Sequence, residues 1–205
     1  ISSSLPIGNT DAETALKVLL EGNQRYVAVH PEYPHQSAAR RSQAAQGQKP
    51  FAMVLGCADS RVAPEILFDR GIGDIFDVRV AGNVPDHAVI GSLEFAYTEF
   101  GSPLIVVLGH ERCGAVKATL EHLEHKETRL PGDIPLLVKA VTPALEHVKS
   151  QPGDVLDNGM RENVKLIVDK LKHDSVLTKA VQTGQLKIVG ARYDLDTGAV
   201  ELIAQ

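Results

Sequence analysis

The chain holds two cysteines, and both lie in short segments crowded with other reactive side chains. The first segment reads Cys57-Ala58-Asp59-Ser60-Arg61; the second reads Gly109-His110-Glu111-Arg112-Cys113-Gly114. Taken singly, such a cysteine is usually a small buried hydrophobe. Together they leave three chemistries open: buried packing, a redox pair, or metal ligation. Two thiolates and one imidazole supply three ligands to a tetrahedral ion and leave the fourth position to water. That is the pattern of a catalytic zinc site rather than a closed structural one. Soft thiolates favour zinc over magnesium or calcium. Cys113 also opens an expected helix, where free N–H groups and the helix dipole stabilise a thiolate.

Charge counting says what such an ion needs. Zn²⁺ with two thiolates and a neutral imidazole is formally neutral, so its water is less acidic than the value of about 7 reached with three histidines. A second device must help form and aim the hydroxide. Asp59 and Arg61 suit that task, because a bidentate Arg61 holds Asp59 ionised. Asp59 then accepts a hydrogen bond from the bound water. The plainer alternative is a surface ion pair worth less than about 1 kcal/mol.

Both segments need a frame that brings them together, and the hydropathy pattern supplies one. Phe51–Gly56 and Leu104–Leu108 read as strands, the second buried on both faces because it has no polar alternation. The reactive residues follow each strand directly. Ile75–Val80, Leu186–Ala191 and Ala199–Ile203 read as further strands, the last two joined as a hairpin by Asp196-Thr197-Gly198. Helices are predicted over Thr10–Val27, Pro64–Asp69, Asp86–Phe100, Cys113–Lys126, Ile134–Ser150 and Leu156–Gln182, with partial helicity near Ser37–Ala45. Thr10 is the expected N-cap of the first helix, with Glu13 reaching back to close a capping box. Asn23 alone interrupts its apolar stripe of Leu16, Leu19, Leu20, Tyr26 and Val27.

Strands alternating with helices predict an α/β domain with a mostly parallel sheet, whose ligands sit beyond the strands' carboxyl ends. No linker or repeat divides the chain, so one domain is expected over 1–205, with a helical arm to about residue 30 and an α/β core over 51–205. The 26 acids outnumber the 21 bases, which excludes a general nucleic-acid backbone binder. No apolar run approaches the roughly 20 residues of a membrane span. The Ile1–Gly8 stretch has no signal-like apolar segment, and the first residue is not Met; the compartment stays open between cytoplasm and export after signal removal.

The motif C-x-D-x-R at Cys57, Asp59 and Arg61, paired with H-x-x-C at His110 and Cys113, resembles the β-class carbonic anhydrases. The likeness extends through Gln48-Lys49-Pro50-Phe51, Phe76–Asn83, Leu93–Ala96 and Gly190–Gly198, nearly the whole chain from Thr10 onward. It implies a four-stranded parallel core with an extra edge strand, assembled as homodimers or dimers of dimers. It implies one Zn²⁺ per subunit on Cys57, His110 and Cys113, with Asp59–Arg61 as the dyad beside the metal water. The reaction implied is reversible hydration of CO₂ to bicarbonate and a proton by a zinc-bound hydroxide that the dyad orients. Gln48, Phe76, Ala81, Phe95 and Gly114 match the substrate pocket; Gln48 and part of the apolar wall come from the neighbouring subunit in the family.

Departures are visible too. Phe95 stands where plant-like members often carry Tyr, and Ala81 is smaller than the usual Val. Val54 occupies the position where a bacterial subgroup with a noncatalytic bicarbonate site places Trp, which argues against that site. If Arg61 releases Asp59 at low pH, the carboxylate could close the zinc as fourth ligand, as in some members. Rival readings are a carbonyl sulfide or carbon disulfide hydrolase on the same scaffold, a non-enzymatic zinc protein, and a thiol enzyme using Cys57 or Cys113. No other histidine is assigned as proton shuttle; His122 and His125, three apart, read as a solvated helix face rather than a second metal site.

Overall fold

Five strands form one sheet in the order β2-β1-β3-β4-β5, in a computed structural model that describes residues 10–125, 127 and 129–205. The strands are β1 (Ala52–Gly56), β2 (Ile75–Arg79), β3 (Leu104–His110), β4 (Lys187–Tyr193) and β5 (Val200–Ala204). β2, β1, β3 and β4 run parallel, and β5 returns antiparallel to β4. The predicted four-plus-one arrangement is therefore what the chain adopts. Residues 1–8, the start of the predicted arm and the predicted helix end at Lys126 lie outside the described residues.

Two layers of helices cover the sheet because side chains alternate across it. Ala52, Val54, Leu104, Val106 and Leu108 point into a core shared with Ala15, Leu16 and Leu19 of α1 (Ala12–Val27) and Leu67 of α3 (Pro64–Leu67). Met53, Leu55, Ile105 and Val107 point the other way, into the larger core. That core is closed by α4 (His87–Phe100), α5 (Gly114–Glu124), α6 (Ile134–Val148) and α7 (Val155–Lys172). The remaining helices, α2 (Ala38–Ala44) and α8 (Leu177–Gln182), are short. Among the described residues no helix is long and apolar enough to cross a membrane.

Asn23 in α1 explains its place in an apolar stripe. It is buried, and its amide donates to the carbonyls of Leu67 and Gly198 (3.0 and 2.8 Å) while its oxygen accepts from Val200 N–H (2.9 Å). One side chain thus ties α1 to α3 and to the β4–β5 hairpin. Val27, by contrast, is exposed and does not belong to the stripe.

Three local expectations are corrected. The N-cap of α1 is Asp11, not Thr10, and its carboxylate accepts from Thr14 N–H at 2.8 Å. A carboxylate reaches that amide without Glu13, whose own carboxylate pairs with Lys187. The long helix predicted over Leu156–Gln182 is two helices, α7 and α8. Asp174 stops the run by turning its carboxylate back on the N–H groups of Val176 and Leu177, as short acidic side chains do outside helix interiors. His125 caps α5 rather than lying within it, so His122 and His125 do not share a helix face.

Candidate metal centre

Close packing of α7 against the sheet sets up the site. Gly109 and Gly190, on β3 and β4, leave no room for side chains: a Cβ on either would stand 2.6 Å from Val164. With α7 seated there, the carboxyl ends of β1 and β3 open toward α5, and the chemistry-bearing residues follow them. His110 is the last residue of β3, Cys57 immediately follows β1, and Cys113 is the N-cap of α5.

The structure brings these three together. One ligand atom from each of Cys57, His110 and Cys113 lies within 4.8 Å of the others, and all three residues are buried. The two sulfurs stand 4.0 Å apart. That is roughly twice a disulfide bond and close to the separation of two thiolates on one tetrahedral ion with bonds of about 2.3 Å. The imidazole of His110 is held by Nδ1, which lies 2.8 Å from the Glu111 carbonyl. Its Nε2 faces the sulfurs, fully buried and without a hydrogen-bond partner. A buried polar atom normally has a partner, so this orphan and the donor set together fit a soft divalent ion such as zinc.

The thiols are unequal. The hydrogen bond with Cys113 lowers the Cys57 thiol to about 4 against the effect of burial, with help from His110 and the Gly82 N–H. Cys113, the partner in that bond, is pushed up by it and by burial.

Asp59 and Arg61 face the same opening. Arg61 Nε and Nη2 donate to the two carboxylate oxygens at 2.9 and 2.7 Å, and the Arg61 N–H adds a third bond at 2.9 Å. Donation by Arg61 outweighs burial and holds the Asp59 carboxyl well below the usual carboxylate range. Asp59 Oδ2 is 3.8 Å from His110 Nε2. Asp59 is largely buried and Arg61 half exposed, so the pair is anchored at the site rather than afloat on the surface.

The pocket residues divide by location. Ala81 begins a single 3₁₀ turn (Ala81–Asn83) beside Cys57, and Gly114 opens α5 with nothing within 4 Å of where its Cβ would stand. Gln48 lies exposed before β1, close in sequence to Pro50, whose carbonyl accepts from Ser102 just ahead of β3. Phe76 pairs with Met53 near the amino end of β2. Phe95 is 52% exposed and packs edge-on against Phe100, which in turn meets Phe76. Met53 lies four residues before Cys57, so β1 separates Phe76 from Cys57 by roughly 13 Å of strand. The chain does not bring Gln48, Phe76 or Phe95 to its own cysteines.

Several residues that shape the site were not singled out in the sequence. Arg79, at the end of β2, donates to the carbonyls of Cys57 and Asp59 (3.0 and 2.6 Å), clamping the loop that carries both. Asn83 donates to the carbonyls of Leu55 and Leu108 (2.9 and 2.7 Å), joining β1 and β3 just before the site. Glu111 accepts from Arg192 at 2.5 Å and from Leu195 N–H at 3.1 Å. Asn163 is the one with a sequence signal: a lone amide among Met160, Val164 and Ile167 at helical spacing must find a partner if buried. A second acidic group, Glu111, Asp194 and Asp196, is engaged by Arg192 and Arg112.

Comparison with known proteins places this geometry. The carbonic anhydrase family model matches residues 52–200. A carbonic anhydrase of Mycolicibacterium smegmatis is 44% identical over 195 residues, covering 95% of this chain and 94% of that one. Carbonic anhydrase 2 of Mycobacterium tuberculosis is 43% identical over 196 residues, with the same coverage of each chain. Among solved structures, the β-carbonic anhydrase of Coccomyxa in complex with acetazolamide superposes with a TM-score of 0.71 at 29% identity, over 92% of this chain and 86% of that one. A β-carbonic anhydrase of Sordaria macrospora shares the fold with a TM-score of 0.72 at 20% identity, over 92% and 96%.

Proposed function

Because the chain belongs to the β-class carbonic anhydrases, we propose that it converts CO₂ and water reversibly into bicarbonate and a proton at a zinc ion held by Cys57, His110 and Cys113. The observation that carries the metal reading is the orphaned, fully buried His110 Nε2 facing two thiols 4.0 Å apart. Zinc, when bound, supplies the Lewis acidity that makes a water nucleophilic near neutral pH. The chain's own residues do the rest. Asp59 stays ionised because Arg61 donates to both of its oxygens; it accepts a hydrogen bond from the attacking oxygen and turns a lone pair toward the carbon. Ala81 and the bare Gly114 leave space for a small apolar substrate beside the cysteines.

Gln48, Phe76 and Phe95 stand too far from their own cysteines to touch that substrate. A second copy of the chain supplies them, Gln48 donating an amide N–H to a CO₂ oxygen and the phenyl rings excluding water. The functional unit is then a homodimer.

Stopped-flow CO₂ hydration on metal-analysed protein between pH 6.5 and 9 tests the reaction. Turnover should rise with pH and fall by roughly 10²–10⁴ in Asp59→Ala. Protein with a full complement of zinc and no turnover would defeat the proposal, and carbonyl sulfide would be the substrate tried next.

A further inference from the structure

Gly82 donates its backbone N–H to Cys57 Sγ at 3.4 Å, and its carbonyl accepts from Asn163 Nδ2 at 2.9 Å. Both bonds are buried. The glycine is held on two further sides. Its φ of +69° is a conformation that a side chain resists. A Cβ there would stand 2.9 Å from Ala115 Cβ and 3.3 Å from Val141 Cγ2. Ala115 belongs to α5, which carries Cys113 at its start, and Val141 belongs to α6. The turn therefore sits wedged between the two cysteine-bearing segments, and the side-chain donor to its glycine's carbonyl comes from α7.

Asn163 is 6% exposed, on the face of α7 that otherwise buries Met160, Val164 and Ile167. An amide in that setting costs stability unless it is paired. Its pairing is with the carbonyl of the residue whose N–H meets Cys57, one peptide farther along, not with a remote loop. Rotation of the Gly82 backbone would turn the N–H away from Cys57 while Cys57 itself stayed in place.

We propose that Asn163 is a positioning residue for the metal centre: by holding the Gly82 carbonyl it aims the Gly82 N–H at Cys57 and so sets how strongly that sulfur donates to the metal. An N–H directed at a thiolate stabilises the deprotonated sulfur that a metal binds, and partners one shell out from a metal typically change affinity by 10- to 100-fold. The inference rests on the zinc reading above and adds a residue from α7 to it.

The test uses whole protein stripped of metal and reloaded with Zn²⁺ or Co²⁺. Chelator competition reads zinc affinity, and the sulfur-to-cobalt charge-transfer band reads donation by Cys57. Asn163→Ala should weaken zinc binding about tenfold or more and displace the cobalt band. Asn163→Leu removes the donor while keeping the branching and number of heavy atoms, and carries the test if the alanine variant does not fold. Ile167→Ala, one turn along α7 and outside the relay, should lower thermal stability while leaving affinity and band where they are. An Asn163 variant with unchanged affinity and spectrum overturns the proposal, as does an Ile167 variant that moves both equally. If wild-type protein itself fails to bind zinc stoichiometrically, it is the zinc reading that falls.

Discussion

Asp59 and Arg61 are two residues apart, yet their consequence depends on His110, which arrives from another strand. Arg61→Ala would leave a largely buried carboxylate without its two side-chain donors. Its carboxyl should then rise toward the ordinary range. Because the wild-type carboxyl lies below that range, the stability it contributes is present at neutral pH and lost only as the solution becomes strongly acid. Arg61→Ala should remove that contribution, lowering stability at neutral pH and flattening its decline in acid, as urea titrations from pH 3 to 7 would show. Replacing Cys57 or Cys113 by Ser should reduce bound zinc from about one per chain to a small fraction, measured by elemental analysis after dialysis. Chelation should abolish activity reversibly in wild type, which a thiol-nucleophile mechanism does not predict. At this scale the meeting of Cys57, His110 and Cys113, with the Asp59–Arg61 pair beside them, was legible, because such chemistry is written in residue type and spacing. Arg79 and Asn83 were not. Both act on backbone carbonyls, and nothing local in a sequence says where a distant carbonyl will stand.

Elements were legible where the hydrophobic period was strong and less so at their ends. The parallel core followed from unbroken apolar runs such as Leu104–Leu108. The break between α7 and α8 did not, because apolar residues continue on both sides and the stop comes from one carboxylate, Asp174. The glycine seam under α7 is a feature that only contact reveals. Gly109→Ala would drive a methyl into Met160 Sδ and Val164 Cγ2, each 2.6 Å away. Overpacking of this kind costs about 1–3 kcal/mol; since Gly109 adjoins His110, chemical denaturation and zinc content should suffer together. The edge strand β2 carries a second liability. Asp77 has a buried Oδ1 without a partner, and burial, reinforced by the charge of Glu65, pushes its carboxyl up to about 7. The folded chain then binds more protons than the unfolded one between about pH 4 and 7, so stability falls as pH rises through that window. Asp77→Asn should flatten the decline by on the order of 1–2 kcal/mol between pH 5 and 8. An unchanged slope would show that Asp77 is not its source.

For the whole molecule, the cysteines lie at the carboxyl ends of the strands and the predicted pocket aromatics toward the amino ends. Phe95 is half exposed in a cluster with Phe100 and Phe76, an arrangement that a monomer has no reason to leave uncovered. Sedimentation at micromolar concentration should show a dimer or larger assembly. Phe95→Asp should weaken that assembly and lower CO₂ hydration while zinc stays bound. Composition and strand order made the α/β fold readable, whereas the separation of Gln48, Phe76 and Phe95 from their own cysteines shows only in the assembled strands, with Phe76 beside Met53 at the far end of β1.

The proposed sharing of pockets has a genetic consequence. A chain with Gln48→Ala keeps its metal ligands, and a chain with Cys57→Ala keeps its amide, so each homodimer is defective in both pockets. A mixed dimer pairs the sound cysteines of one chain with the sound Gln48 of the other, restoring one pocket and leaving the second doubly damaged. Random mixing should therefore return roughly a quarter of wild-type activity from two poorly active proteins. Two crippled alleles in one cell would complement each other, whereas both lesions placed in the same chain could not be rescued by sharing.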